Sequence, residues 1–99
     1  MGRGRRATPS RLPEKLLQVR LAFSVTQKDL VKMLGAGREV KRSYISEYET
    51  GEREPPTPLL LKYARLAGIC VEVLIDDELD VPERIPARPP HRALRDKGR

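Results

Sequence analysis

The side chains best suited to chemistry cluster between residues 42 and 47, in the segment RSYISE. An arginine such as Arg42 can donate two hydrogen bonds to guanine O6 and N7, and a carboxylate such as Glu47 can accept one from cytosine N4. Serine hydroxyls suit bases or phosphates, and a tyrosine ring suits a phosphate or a thymine methyl group. The polar side chains between these two are Ser43, Tyr44 and Ser46. On one short helix, such side chains indicate recognition of base edges in the DNA major groove, which admits a helix.

The remaining reactive side chains argue against catalysis. His91 is the only histidine and lies in a proline-rich tail without a partner residue, and no nucleophile–base pair or phosphate-binding loop is present. Cys70 is the only cysteine, which excludes an intrachain disulfide and fits a reducing cytosol; we predict that it is buried. The acids between residues 76 and 80 are predicted to form a solvated helix end. We therefore expect no enzymatic activity, no metal and no cofactor.

The net charge of +6 is distributed unevenly along the 99 residues. Residues 1–12 carry +4 and residues 82–99 carry +4, whereas residues 13–81 carry −2. No apolar run approaches the ~20 residues that span a bilayer, and the basic start lacks the apolar stretch of a secretory signal. We predict a cytoplasmic, nucleoid-associated protein with a basic disordered arm at 1–12, a folded domain at 13–81 and a Pro/Arg-rich tail at 82–99.

Apolar periodicity and capping residues predict five helices. The first opens near Pro13, and the second begins after the N-cap Thr26 and ends near Leu34, where Gly35 stops it. In the first helix we predict an apolar set and a polar stripe. The apolar set is Leu16, Leu17, Val19, Leu21 and Phe23, and the polar stripe is Glu14, Lys15, Gln18 and Ala22.

Three more helices are predicted after the turn around Gly37. The third runs from Lys41 or Ser43 to Thr50, with Ile45 and Tyr48 facing inward. The fourth spans about residues 58–67 and is predicted to bury Leu60, Leu61, Ala64 and Ala67. The fifth covers about residues 71–77; its VEVLI segment suits a strand equally well, but no second strand is available to pair with it.

This pattern resembles the lambda-repressor-like, or Cro/XRE-type, helix-turn-helix family over about residues 13–79. The resemblance implies an all-α, compact five-helix lambda-repressor-like bundle with a helix-turn-helix and flexible basic tails. Val31 departs from the family, in which a small alanine is usual. The residues that carry the resemblance are Arg20, Thr26, Gln27, Leu30, Val31, Leu34, Gly35, Ile45, Ser46, Tyr48, Glu49, Gly51 and Pro55.

The resemblance also implies roles for individual side chains. Arg42, Ser43 and Glu47 occupy the positions that most often reach base edges, although Glu47 could instead repel the DNA backbone and orient Arg42. Arg20 and Glu49 correspond to the family's structural ion pair between the first and third helices. The full predicted DNA-contact set is Gln27, Lys28, Arg38, Lys41, Arg42, Ser43, Tyr44, Ser46, Glu47 and Arg53.

The turn before the third helix is longer than the family pattern. Leu34 and Ile45 are eleven positions apart, where about seven are usual, so about four extra residues lie at 36–39 if Val40 is the apolar turn residue. The insertion could lengthen the third helix at its start, or form a loop that places Arg38 on DNA.

We expect a sequence-specific regulator of transcription that binds double-stranded DNA, acting as a repressor and binding a palindrome as a homodimer. Dimerisation could use apolar residues around the fifth helix, which could instead cover the first helix. The alternative function is an antitoxin or other protein-interaction module that captures a protein partner through its tails. The apolar residues in question are Val73, Leu74, Ile75 and Leu79.

Overall fold

The computed structural model of the protein describes residues 9–38 and 40–85. The predicted all-α fold is confirmed, and VEVLI is helical. Predictions about the ends of the arm and tail (residues 1–8 and 86–99), about His91 and about Glu39 lie outside the described residues. The five helices are α1 (Leu12–Phe23), α2 (Gln27–Leu34), α3 (Arg42–Thr50), α4 (Thr57–Ala67) and α5 (Val71–Ile75).

Helix α1 begins one residue before Pro13, so Leu12 is inside the core. The predicted polar stripe is wrong at Lys15, which is fully buried, and the predicted apolar set is wrong at Leu21, which is 59% exposed. The Lys15 side chain lies in the core because its ammonium group reaches the backbone carbonyls of Val73 and Asp76, both at 2.7 Å. A long lysine stem with satisfied donors can therefore occupy a position that would otherwise require an apolar residue.

Helix α2 and the following turn agree with the sequence prediction. The Thr26 hydroxyl accepts a hydrogen bond from the Asp29 backbone N–H at 3.0 Å, and Gly35 ends the helix at a left-handed φ of 68°. Ala36 and Val40 are both buried, and the Val40 N–H donates to the Ala36 carbonyl at 2.9 Å. The insertion therefore forms a loop whose two ends are anchored in the core, and it does not lengthen α3.

Helix α4 buries Leu60, Ala64 and Ala67 as predicted, and the prediction is wrong only at Leu61. Leu61 was expected inside but is 38% exposed, whereas Leu59 and Tyr63 are buried beside Leu60. Tyr63 is the largest fully buried side chain among the described residues. Because α4 packs against α1, α2 and α5, its buried face is wider than one stripe of leucines and alanines.

Helix α5 lies across α1 and α4, with Leu74 fully buried beneath it. The prediction that Cys70 is buried is wrong, because it is the N-cap residue of α5 and is exposed. Ile75 and Leu79 are 42% and 41% exposed. Of the two predicted roles for the apolar residues around α5, Leu74 takes the one of covering the other helices. Ile75 and Leu79 remain accessible to solvent.

The acidic segment after α5 binds the start of α1, so the prediction of a merely solvated helix end is wrong. The Asp77 carboxylate accepts hydrogen bonds from the backbone N–H groups of Ser10 and Arg11, both at 3.0 Å. These bonds lower the pKa of Asp77 below its ordinary value. Arg11 in turn forms an ion pair with Asp80 at 2.6 Å. The two ends of the described chain are thus joined by polar contacts.

Candidate DNA-binding face

Helix α3 is held by two inward side chains. Ile45 is fully buried and Tyr48 is 3% exposed, as predicted from their spacing, and α3 packs against α1 and α2. The opposite side of the helix points away from the core. Arg42 and Ser43 are exposed there, and Ser46 and Glu47 are half-buried. Tyr44 is half-buried because its ring packs against the core near Tyr48, with 6.5 Å between the ring centres.

An ion pair with little solvent exposure connects α1 to α3. Arg20 Nε lies 2.7 Å from Glu49 Oε2, and Arg20 Nη2 lies 3.1 Å from Glu49 Oε1. The two side chains are only 16% and 5% exposed, and Arg20 Nη1 also donates to the Val25 carbonyl at 2.9 Å. This two-point contact fixes the tilt of α3 relative to α1.

Gln27 belongs to the same network. Its side-chain amide donates to Glu49 Oε1 at 3.2 Å, so it is turned toward the ion pair. Gln27 was predicted to be a DNA contact, separate from the ion pair. In the structure, Gln27, the first residue of α2, binds the carboxylate of Glu49 near the end of α3, and this contact aligns the two helices.

Four cationic side chains surround the start of α3 and α2. All four are exposed, and the described part of the chain gives none of them a hydrogen bond or ion pair. They are therefore available to bind anions from solution. They are Lys28 on α2, Arg38 in the inserted loop, Lys41 at the N-cap of α3 and Arg42 in its first turn.

Arg53, in the loop after α3, contacts two other predicted DNA-contact residues, Glu47 and Tyr44. Glu47 Oε1 accepts a hydrogen bond from Arg53 Nε at 2.6 Å, and the Arg53 guanidinium carbon lies 4.0 Å from the centre of the Tyr44 ring. The hydrogen bond that Arg53 donates to Glu47 raises the pKa of Arg53 above its ordinary value. Glu47 thus binds Arg53, and the predicted alternative in which Glu47 orients Arg42 is not seen. The spacing of Tyr44 and Glu47, three positions apart on α3, was the only sign in the sequence that these two side chains lie close together. Arg53 could not be added to the pair because it follows the turn at the end of α3.

This arrangement defines a class of protein: a bundle of short helices in which a turn holds a second helix outward, with exposed cations around it. The helix-turn-helix family model matches residues 16–70, which is more than half of the chain. The chain belongs to this family, in its Cro/C1-type (XRE) group of DNA-binding regulators. No curated protein and no solved structure gives a significant match. Among the described residues, no helix has the length and apolar character needed to cross a membrane.

Proposed function

We propose that the protein is a sequence-specific transcriptional repressor that inserts α3 into the major groove of a palindromic operator in the cytoplasm. The observation that carries this proposal is the position of Arg42 and Ser43. Both are exposed in the first turn of a helix whose other face is anchored by Ile45 and Tyr48. In helix-turn-helix proteins, the N-terminal residues of this second helix contact base edges.

Base contacts and phosphate contacts are assigned to different side chains. Arg42 donates to a guanine edge, and Ser43 and Ser46 bind a base or a neighbouring phosphate. The exposed cations give sequence-independent affinity and orient the domain on the duplex. The cations assigned to the DNA backbone are Lys28, Arg38, Lys41 and Arg53. Gln27, whose amide keeps a second N–H besides the one bonded to Glu49, is also assigned to a phosphate.

A homodimer is the proposed binding unit. Ile75 and Leu79 leave apolar surface exposed beside α5, and burying it between two copies would remove it from water. A two-fold dimer places two copies of α3 on successive turns of one side of the duplex, about 34 Å apart. Occupying a promoter in this way blocks transcription, which is the basis of the proposed repressor role.

Selection of bound sequences from a random duplex library tests the proposal. We expect enrichment of an inverted repeat with half-site centres about one helical turn apart, and a complex containing two protein chains per duplex. Enrichment of a single half-site with one chain per duplex would reject the dimer and keep DNA recognition. Recovery of no common sequence would reject specific DNA binding.

A further inference from the structure

We infer that Tyr44 and Glu47 act on DNA binding indirectly, by holding the guanidinium of Arg53 as a preformed clamp for one phosphate of the DNA backbone. The inference rests on the proposed DNA binding. It assigns Tyr44 and Glu47 as positioning residues rather than direct contacts, and it assigns Arg53 the contact itself.

Arg53 is tied to the last turn of α3 by both its backbone and its side chain. Gly51 ends α3 with a left-handed φ of 87°, which turns the chain back on the helix. The backbone N–H of Arg53 then donates to the Glu47 carbonyl at 3.2 Å. The side chain adds the 2.6 Å bond from Nε to the Glu47 carboxylate. The whole residue is thereby tied to the side of α3 that carries Tyr44 and Glu47.

The remaining two nitrogen atoms of the guanidinium are placed to donate hydrogen bonds to a phosphate. The guanidinium carbon lies 4.0 Å from the centre of the Tyr44 ring, and the Nε–H donates to the Glu47 carboxylate. Within the described residues, Nη1 and Nη2 have no hydrogen-bond partner, and the Arg53 side chain is 45% exposed. Two parallel N–H groups on a planar fork match two oxygens of a phosphate. Because the fork is already oriented, binding costs less side-chain entropy.

The position of the clamp favours a phosphate over a base. Base edges are contacted from the N-terminal residues of the second helix of the motif, and Arg53 follows the C-terminal end of α3. The pair also explains how an acid is tolerated on a face that meets DNA, since Arg53 neutralises the Glu47 charge. The two side chains are 45% and 33% exposed, so the pair contributes little to folding stability.

Duplex binding by single and double variants tests the clamp. Arg53→Ala should weaken binding to the selected site and to random duplex by the same factor, about tenfold, and reduce the salt slope by about 1. Tyr44→Leu should weaken binding several-fold on its own and have no further effect in the Arg53→Ala background. Tyr44→Phe should bind like the wild type because it keeps the ring. Arg65→Ala, which removes an exposed arginine from α4, is the matched control.

The outcomes separate the clamp from the function on which it rests. A loss with Tyr44→Phe would show that the hydroxyl binds DNA, and additive losses from Tyr44 and Arg53 would show independent contacts; both overturn the clamp. A change of base preference in Glu47→Ala would make Glu47 a base reader and would also overturn it. Wild-type protein that binds no duplex would reject the proposed function and the clamp together.

A measurement on the free protein gives a second readout without DNA. The Arg53 Nε–H should exchange slowly with water by NMR in the wild type and faster in Glu47→Ala and Tyr44→Leu, with circular dichroism confirming that both variants fold. An exchange rate that does not change in either variant would contradict the clamp even if the wild type binds DNA.

Discussion

The carboxylate of Glu49 accepts two hydrogen bonds from the guanidinium of Arg20, with N···O distances of 2.7 and 3.1 Å. It also accepts a hydrogen bond from the side-chain amide of Gln27. One side chain that is 5% exposed therefore connects α1, α2 and α3. This contact sets the direction in which α3 projects, and its loss should affect stability and DNA binding together.

Removing one partner of this ion pair should be strongly destabilising. Arg20→Met or Glu49→Leu leaves a charge with little access to water, and we expect a loss of about 3–5 kcal/mol in the free energy of unfolding. The double variant Arg20→Met/Glu49→Leu should lose less than either single variant. Urea unfolding followed by circular dichroism measures this, with the exposed Glu52→Gln as control. Losses that add in the double variant would show that the pair is not coupled.

Lys15 is expected to hold α5 in place. Lys15→Met keeps most of the apolar stem but removes the donor shared by the carbonyls of Val73 and Asp76. Unpaired buried carbonyls should cost about 1–3 kcal/mol in the free energy of unfolding. Hydrogen exchange should accelerate in α5 before the other helices. Lys32→Met, at an exposed position of α2, is the control, and equal effects of the two variants would contradict the prediction.

Asp77 should make stability depend on pH. Hydrogen bonds from the backbone N–H groups of Arg11 and Ser10 lower its pKa below the ordinary 3.8, so the folded state binds its proton less readily than the unfolded state. The stabilisation is complete above the ordinary pKa and is lost as the pH falls through the lower folded pKa.

The Asp77→Asn variant isolates this effect. Its free energy of unfolding should lie below that of the wild type at neutral pH, and the difference should shrink in acid below pH 3.8. Urea unfolding across this pH range measures the difference, with the exposed Glu72→Gln as control. A difference that stays constant with pH would contradict the lowered pKa.

The hydroxyl of Tyr63 should be dispensable. It is buried without a hydrogen-bond partner among the described residues, and burial raises its pKa well above the ordinary value. Tyr63→Phe removes an unsatisfied polar group and keeps the ring, so the free energy of unfolding should change by less than about 0.5 kcal/mol or increase. Thermal unfolding tests this, and a clear loss of stability would reveal a partner for the hydroxyl.

Arg42 should read a base. Arg42→Ala is expected to weaken binding to the selected site by about 1–3 kcal/mol and to relax the preference at one base position. Binding titrations on the selected site and on random duplex measure both effects. Equal losses on the two duplexes would show that Arg42 binds a phosphate instead.

Features that depend on near neighbours in the chain were predictable from the residues. The N-cap Thr26 and the helix-ending Gly35 and Gly51 act through backbone geometry within a few positions, and the inward pair Ile45 and Tyr48 follows from helical periodicity. These features lie close together in sequence, and the family match covers the same stretch. Local capping and spacing were thus enough to predict the helices, and the family resemblance in the same stretch implied the class of fold.

Features that depend on contacts between distant segments became evident once the helices were packed. Lys15 is buried because the backbone carbonyls of Val73 and Asp76, in α5 and at its end, accept hydrogen bonds from its ammonium group. Asp77 lies 66 positions from Arg11, and the Glu47–Arg53 pair forms across a turn. Helical periodicity predicts which residues lie on the same side of a helix. It does not predict what that side contacts, because the contacts depend on how the other helices pack against it.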